Sequence, residues 1–146
     1  MKEKDRILSL HPDLRLCVEK LKEEHAKLDK DWDILVVSGH RTREEQDDCV
    51  RRKVSKCMWP NSAHNQVQSL GVDLQGVRDG KLIGSPEAEK ICKEIATRLL
   101  KIAVDLGISL RWGGDFKRVD LPHFELAKEW DAIKRDQKKL IKGATR

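Results

Sequence analysis

The sequence predicts an α+β domain in which helices flank a small, mainly antiparallel sheet. Helical and strand periodicities alternate along the 146 residues, and the strands are short. Two of them are joined by a tight turn, a connection that only antiparallel neighbours can use. A chain of this length fits one domain, and no internal repeat or linker is visible. Residues 1–146 are therefore expected to fold as a single domain.

The chain begins with a helix and a buried strand. Pro12 suits the first turn of a helix, and apolar residues then recur at helical spacing up to an expected end near Asp29. Those apolar positions are Leu14, Cys17, Val18, Leu21 and Leu28. The run from Asp33 to Gly39 is short, β-branched and bounded by polar residues, which predicts a buried strand.

A solvated helix and a loop come next. Thr42 and Glu45 match a capping box, in which each residue's side chain binds the other's backbone N–H. This pattern predicts a mostly solvated helix over residues 42–54. Residues 55–69 have no clear period and predict a loop.

The second half begins with a hairpin. Residues 70–76 alternate apolar with polar or small side chains, so Asp73 should point away from the apolar face of a strand. Residues 78–81, RDGK, predict the hairpin turn. Ser85 is expected to cap the following helix, with Pro86 at its first position. The predicted buried stripe of that helix is Ile91, Cys92, Ile95, Leu99, Ile102, Ala103 and Leu106.

Two more strands and a last helix complete the predicted domain. Gly107 ends the preceding helix, and short strands are expected at residues 109–112 and 123–126. The last helix has basic residues crowded near its end, as the helix dipole prefers. Its apolar residues are Trp130, Ile133, Leu140 and Ile141.

The composition favours a highly charged protein with an anionic partner. Charged residues make up 38% of the chain, and the net charge is +5. No nucleic-acid partner is expected, because the basic residues are dispersed and form no recognisable nucleic-acid-binding motif. No segment has the length of a membrane span or of a signal peptide, so membrane insertion is not expected and folding should occur in a cytoplasm. The four cysteines form no CxxC pair and are expected to be buried or free thiols.

Three residues offer the ligands of a catalytic zinc site. His64 and His123 lie in an irregular segment and at a strand edge, where packing alone gives little reason for an imidazole. With Asp73 they supply two imidazoles and one carboxylate, and three protein ligands leave a coordination position open for water. Histidine and aspartate at such separations are also common without a metal, so both interpretations stay open.

Asp120 and Arg41 are candidate catalytic side chains. Asp120 precedes His123 by three residues, at most about 10 Å of extended chain, so the acid could reach a water molecule while the histidine binds the ion. The alternative is that Asp120 only caps a turn. Arg41 could stabilise an oxyanion or bind a substrate carboxylate, or it could form a surface ion pair with Glu44 or Glu45.

Five motifs, taken in order, resemble a known family of peptidases. They are LHPDLR, VVSGHRTREEQ, NSAHNQVQSLGVDL, RWGGDF and VDLPHFEL. Together they resemble the family of zinc D-alanyl-D-alanine carboxypeptidases and L-alanyl-D-glutamate endopeptidases, which includes many bacteriophage endolysins. The match runs along most of the chain. The fold it implies is a small α+β fold shared with the hedgehog signalling domain.

The resemblance implies a role for each site residue. One Zn²⁺ per chain would be bound by His64, Asp73 and His123. Asp120 corresponds to the catalytic acid/base, and Arg41 to the arginine that steadies the scissile carbonyl. The residues expected at the substrate site are Ser62, Trp112 and Asp115.

The chain departs from the commonest family pattern, SxHxxGxAxD, in its central motif. Two residues are inserted between His64 and Asp73, as in some phage members, and Gly71 replaces the usual alanine. Asp120 stands where the carboxypeptidase and dipeptidase branches often have glutamate. The shorter acid suits the endopeptidase branch better.

The function implied is hydrolysis of peptidoglycan stem peptides by an L-alanyl-D-glutamate endopeptidase of the endolysin type, which lyses the host cell. The enzyme would be a monomer without a separate cell-wall-binding domain. It would remain in the host bacterial cytoplasm until release, and its charge would favour an anionic envelope surface. The alternatives are a D-alanyl-D-alanine carboxypeptidase or dipeptidase, and a non-catalytic, hedgehog-like zinc-binding domain.

Overall fold

The computed structural model describes residues 1–144, which form five α-helices and five β-strands. The helices are α1 (Glu3–Leu8), α2 (Pro12–Ala26), α3 (Arg43–Arg51), α4 (Glu87–Asp105) and α5 (Ala127–Ala144). The strands are β1 (Asp33–Ser38), β2 (Gly71–Arg78), β3 (Lys81–Leu82), β4 (Leu110–Trp112) and β5 (His123–Leu126). Two short 3₁₀ turns, Ala63–Asn65 and Gly113–Asp115, precede β2 and β5.

All five strands belong to one antiparallel sheet. Its order is β1-β2-β5-β4, and β3 pairs with the end of β2. The predicted α+β class with a small antiparallel sheet is confirmed. Asp73 on β2 lies directly opposite His123 on β5, and side chains paired in this way have Cβ atoms about 5 Å apart. The sheet thus brings together two candidate ligands that are distant in sequence.

The sheet has an apolar face and a polar face. Val72, Leu74, Phe124 and Leu126 are buried in the core, against which α2 and α4 pack. Because side chains alternate along a strand, the residues between them point to the opposite face. On that face lie Asp73, Arg111, His123 and Glu125. The well-packed core therefore supports the backbone from which the polar residues project.

Helix α1, which the sequence pattern did not predict, braces the edge of the sheet at β1. The Glu3 carboxylate accepts hydrogen bonds from the backbone N–H of Val36 at 2.7 Å and from the Lys22 ammonium at 2.8 Å. The Ser9 hydroxyl, just after the helix, accepts one from the backbone N–H of His40 at 3.0 Å. Six residues are too few to show a helical period, so these tertiary contacts account for a helix that the pattern missed.

The predicted capping box, hairpin turn and helix stop are confirmed. The Thr42 hydroxyl accepts from the Glu45 N–H at 3.2 Å, and the Glu45 carboxylate accepts from the Thr42 N–H at 3.0 Å. Asp79 and Gly80 have φ values of +52° and +77°, as a two-residue hairpin turn requires. Gly107, with φ +70°, follows the end of α4.

Three helix boundaries differ from the prediction, and one of them is the end of α3, which lies at Arg51 and not near Val54. Helix α2 ends three residues early, and Leu28 is 46% exposed instead of buried. The chain turns there because the buried His25 ring contacts the carbonyl oxygen of Trp32 at 2.8 Å. Helix α4 begins one residue late, since its N-cap is Pro86 and not Ser85.

The sequence predicted that no segment spans a membrane and that the cysteines are buried or free thiols. Within residues 1–144, no helix combines the length and the apolar character needed to cross a membrane. Cys17, Cys49 and Cys92 are buried and Cys57 is exposed. Burial raises the pKa of Cys17 to about 11, which keeps that thiol protonated near neutral pH.

Candidate active site

Three side chains from separate segments converge on the polar face of the sheet. Asp73 comes from β2, His123 from the start of β5, and His64 from the first 3₁₀ turn. Asp73 Oδ1 lies 3.2 Å from His64 Nε2 and 3.1 Å from His123 Nδ1, and the two ring nitrogens are 3.2 Å apart. The structure therefore brings together the three residues that the sequence predicted as metal ligands.

The spacing of these atoms fits a metal ion. In a tetrahedral zinc site with bonds of about 2.0–2.1 Å, the ligand atoms lie roughly 3.3 Å from one another. The separations of 3.1–3.2 Å among His64 Nε2, Asp73 Oδ1 and His123 Nδ1 are close to that value. Two imidazoles and one carboxylate are also a donor set that zinc accepts. The cluster can thus hold one ion with a position left for water or substrate.

The nitrogen of each ring that points away from the cluster already has a partner. His64 Nδ1 donates to the carbonyl oxygen of Gly39 at 2.7 Å, and His123 Nε2 donates to Glu125 Oε1 at 2.7 Å. Such contacts fix the tautomer and the orientation of a metal-binding imidazole. They direct His64 Nε2 and His123 Nδ1 towards the ion.

Glu125 belongs to a row of buried and half-buried charges behind His123. Arg111 donates to Glu125 Oε2 through Nη2 at 2.6 Å and Nε at 3.0 Å, and its Nη2 also contacts Asp131 Oδ1 at 2.9 Å. The sequence analysis did not identify Glu125 or Arg111. A signal was present for Glu125, because residues two apart on a strand share a face, and His123 and Glu125 have that spacing.

The charges of the metal-free cluster depend on burial and on its internal contacts. Burial lowers the pKa of His64, so this ring is neutral. Burial alone would raise the pKa of Asp73, but the two histidines hold it well below its usual range. Burial would also lower the pKa of His123, yet its hydrogen bonds to Asp73 and Glu125 raise it to about 9. A metal ion must therefore displace one proton, from His123.

Arg41 lies beside the cluster and not on the outer surface. Its Nη2 donates to Asp73 Oδ2 at 2.9 Å, and its Nε donates to the Ser38 hydroxyl at 3.1 Å. The predicted alternative, an ion pair with Glu44 or Glu45, is not the pairing that forms. The guanidinium is held next to the space where a substrate carbonyl would approach the ligands.

Asp120 is held by its backbone, and its carboxylate is left without a hydrogen bond. Its N–H donates to the carbonyl oxygen of Gly113 at 2.8 Å, and its carbonyl oxygen accepts from the N–H of His123 at 3.1 Å. The carboxylate has no hydrogen-bond partner among residues 1–144 and lines the same cavity as the cluster. The alternative that this side chain caps a turn is therefore wrong. Partial loss of water and the nearby Asp73 charge raise the pKa of Asp120.

Two glycines allow the close approach of these segments. A Cβ atom on Gly113 would lie 2.2 Å from the carbonyl oxygen of Asp120, so any side chain there would displace the acid. A Cβ atom on Gly71 would lie 3.2 Å from His123 Cε1 and 3.3 Å from His64 Cδ2. The glycine that replaces the usual alanine thus gives the two rings slightly more room.

Of the three residues expected at the substrate site, one lines the cavity and two do not. Ser62 is buried and lines the cavity, and its hydroxyl accepts from the N–H of His64 at 3.3 Å, so it also supports the turn that carries this ring. Trp112 and Asp115 are not among the residues that line the cavity. Trp112 Nε1 donates to the carbonyl oxygen of Leu121 at 2.8 Å and ties the loop that carries Asp120 to β4. Contact of these residues with a substrate stays a prediction.

The cluster lies where two depressions of the surface meet. A cavity of about 390 Å³ contains His64, His123 and the inner side of the cluster. A groove of about 800 Å³ adjoins it on the side of β1 and α3. Arg41, Asp73 and Asp120 line both. A chain that passes over the cluster can therefore extend in both directions.

Comparisons with known proteins point to peptidases. A family model described as phage L-alanyl-D-glutamate peptidase matches residues 2–134. Seven chains of solved structures match, and one is the crystal structure of the L-Ala D-Glu endopeptidase ChiX from Serratia marcescens. The two chains are 26% identical with a TM-score of 0.66, and the match covers 85% of each. The comparison with curated proteins finds no match.

Proposed function

The chain belongs to the phage L-alanyl-D-glutamate peptidase family, and we propose that it is a zinc endopeptidase that cuts the L-alanyl-D-glutamate bond in peptidoglycan stem peptides. One observation carries the proposal. Three ligand atoms lie 3.1–3.2 Å apart in a cavity that is also lined by Asp120, whose carboxylate has no hydrogen-bond partner among residues 1–144. This combination supplies the two parts that hydrolysis of an amide needs, a metal site and a base.

The metal would be held by His64, Asp73 and His123. A zinc ion there supplies a Lewis acid that makes water a nucleophile near neutral pH and polarises the scissile carbonyl. Zinc is the metal that two imidazoles and one carboxylate with an open position suit best. The neutral His64 ring and the ionised Asp73 need no change of protonation to bind it.

Asp120 would move the proton of the reaction. Its carboxylate takes a proton from the attacking water as the new C–O bond forms. It then returns that proton to the leaving nitrogen as the C–N bond breaks. The raised pKa of Asp120 helps the first step, because it makes the carboxylate a stronger base for the proton of the attacking water.

Arg41 would stabilise the negative charge that develops on the carbonyl oxygen. Its guanidinium is fixed by Ser38 and Asp73, so little reorganisation is needed when the charge appears. The cleft favours an endopeptidase over a carboxypeptidase, because the cavity and the groove leave room for peptide on both sides of the scissile bond.

The biological setting that we propose is lysis of a host cell by a phage enzyme that remains in the bacterial cytoplasm until release. The family description supports the phage origin. The net charge of +5 supports attraction to an anionic envelope surface, which should weaken as salt screens it.

The proposal is tested by digesting purified peptidoglycan with the zinc-loaded protein, with and without a chelator. New N-terminal D-glutamate, identified by mass spectrometry of the fragments, is expected only when zinc is present. New D-alanine termini would instead indicate the carboxypeptidase alternative. Release of fragments at full rate in the presence of the chelator would refute the metal-dependent mechanism.

Two variants separate the role of the base from that of a ligand. Asp120→Ala should retain stoichiometric zinc and lose turnover, whereas His64→Ala should lose both. Circular dichroism of the two variants controls for folding. Near wild-type lysis by Asp120→Ala would exclude Asp120 as the base.

A further inference from the structure

Two cations at the mouth of the cavity have no partner among residues 1–144. Lys56 lies in the loop after α3, and Arg118 lies in the segment before β5. Both side chains line the cavity, and neither forms a hydrogen bond or an ion pair with any of residues 1–144. The groove differs, because Arg52 there pairs with Asp48 at 2.7 Å, and Arg6 donates to a carbonyl oxygen of β1 at 3.3 Å. The cationic side chains of the cleft that lack a partner among residues 1–144 therefore both lie in the cavity, whereas the groove is lined by the N-terminal ammonium of Met1 together with Glu44, Glu45 and Asp48.

The acids that line the cavity do not neutralise these two cations. Asp73 is paired with Arg41, and Glu125 is paired with Arg111. Asp120 is the remaining acid, and it forms no ion pair with Lys56 or Arg118. The cavity is thus suited to a group that brings its own negative charge. Lysine and arginine on separate segments can approach such a group from different directions.

The two sides of an L-alanyl-D-glutamate bond differ in charge. Alanine, on the acyl side, contributes a methyl group. Glutamate, on the amine side, has two carboxyl groups. One of them continues the peptide chain, and the other remains as a free carboxylate unless it is amidated. The carboxylate is part of the residue that provides the leaving nitrogen, so it must lie close to the cluster during cleavage.

We infer that the cavity binds the D-glutamyl side of the scissile bond, with Lys56 and Arg118 binding the free carboxylate of that residue. The alanyl side then extends into the groove. This inference rests on the proposed function and adds a direction for the substrate in the cleft. It also assigns a specificity, because a carboxamide at the same position would lose its charge and with it the attraction to both cations.

The test compares two soluble stem peptides that differ at one group of D-glutamate. The carboxyl group that does not continue the chain is a free carboxylate in one peptide and a primary amide in the other. The zinc-loaded protein should prefer the carboxylate by about tenfold in kcat/KM, since a charge-assisted contact exceeds a neutral one by about that factor. In a Lys56→Gln/Arg118→Gln variant the two peptides should be cleaved at rates within about twofold of each other, as expected once charge-assisted contacts are absent.

A matched control removes the same net charge elsewhere. Lys20 on α2 and Lys90 on α4 are exposed and line neither the cavity nor the groove. The Lys20→Gln/Lys90→Gln variant should therefore keep the wild-type preference. Loss of the preference in this control would show that general attraction, and not binding by Lys56 and Arg118, selects the carboxylate.

The outcomes separate this inference from the function on which it rests. Cleavage of both peptides at equal rates by the wild-type protein would overturn the carboxylate site and leave the endopeptidase intact. A preference that survives in the Lys56→Gln/Arg118→Gln variant would overturn the residue assignment. Cleavage of neither peptide would refute the proposed function itself and this inference with it. Both substituted side chains are exposed, so unfolding of the variant is not expected, and circular dichroism checks it.

Discussion

Substitution of Glu125 by glutamine should weaken zinc binding without unfolding the protein. Glu125 is 6% exposed, and its Oε1 accepts the hydrogen bond from His123 Nε2 at 2.7 Å. Glutamine has the same shape and can still accept that bond, but it removes the negative charge that makes His123 a stronger ligand. Arg111 keeps Asp131 as a partner, so no cation is left buried and unpaired.

The size of the effect follows from the type of contact that is lost. A buried hydrogen bond to a charged group contributes about 1.5–3 kcal/mol, whereas a neutral one contributes about 1 kcal/mol. The difference, about 0.5–2 kcal/mol, corresponds to a loss of zinc affinity of roughly 2- to 30-fold, with tenfold near the middle of that range. Turnover at saturating zinc should fall less, because Asp120 and Arg41 are not altered.

The assay is competition for zinc against a fluorescent chelator, near pH 9. At that pH the proton on His123, whose pKa is about 9, competes less with the metal. Asp131→Asn is the matched control, since Asp131 contacts Arg111 from the more exposed side. Exposed ion pairs contribute little, so this substitution should change the zinc affinity by less than about threefold. If Glu125→Gln binds zinc as tightly as the wild-type protein, the reasoning about His123 is refuted.

Three further measurements test other parts of the structure. Gly113→Ala should reduce kcat by about 100-fold while zinc is retained, because a Cβ atom 2.2 Å from the Asp120 carbonyl oxygen must displace the acid, and a displacement of about 1 Å can have an effect of that size. Zinc content and the rate of peptidoglycan hydrolysis measure the two effects, and an unchanged kcat would argue against this role of Gly113. Zinc affinity should rise about tenfold per pH unit from neutral pH up to about 9 and then level off, because the metal displaces the proton that His123 retains below its raised pKa. An affinity that does not change with pH in chelator titrations would contradict the displacement of a proton from His123. Leu99→Ala should lower the free energy of unfolding by about 2–5 kcal/mol, since Leu99 is fully buried. Urea unfolding followed by circular dichroism measures this loss, and a smaller value would show that the core repacks around the substitution.

The local patterns of the sequence predicted most of the secondary structure. The capping box at Thr42, the Asp79-Gly80 turn and the stop at Gly107 all depend on contacts within a few residues, and all three are confirmed. Helix α1 and the early end of α2 were missed. Both depend on partners elsewhere in the chain, such as the Glu3 contact with Val36, which no local period reveals.

The candidate site was predictable in its residues and not in its arrangement. The order of the motifs indicated His64, Asp73 and His123, and the family comparison agrees with that resemblance. Which nitrogen of each ring faces the cluster could not be read from the motifs. It depends on Gly39 and Glu125, which occupy the opposite nitrogens. The partner of Arg41 was likewise open between several acids until the fold placed Asp73 beside it.

The sequence by itself determined the fold class, the family and the residue types available for chemistry, because periodicity, capping and motif order are properties of short segments. The tertiary structure alone decided that Glu125 supports His123 and that Gly113 makes room for Asp120. It also decided that Lys56 and Arg118 line one cavity and lack partners within residues 1–144. These relations are distances between atoms on different strands and loops. They arise only when the antiparallel register of β2 and β5 sets Asp73 opposite His123 and the loops close around that pair.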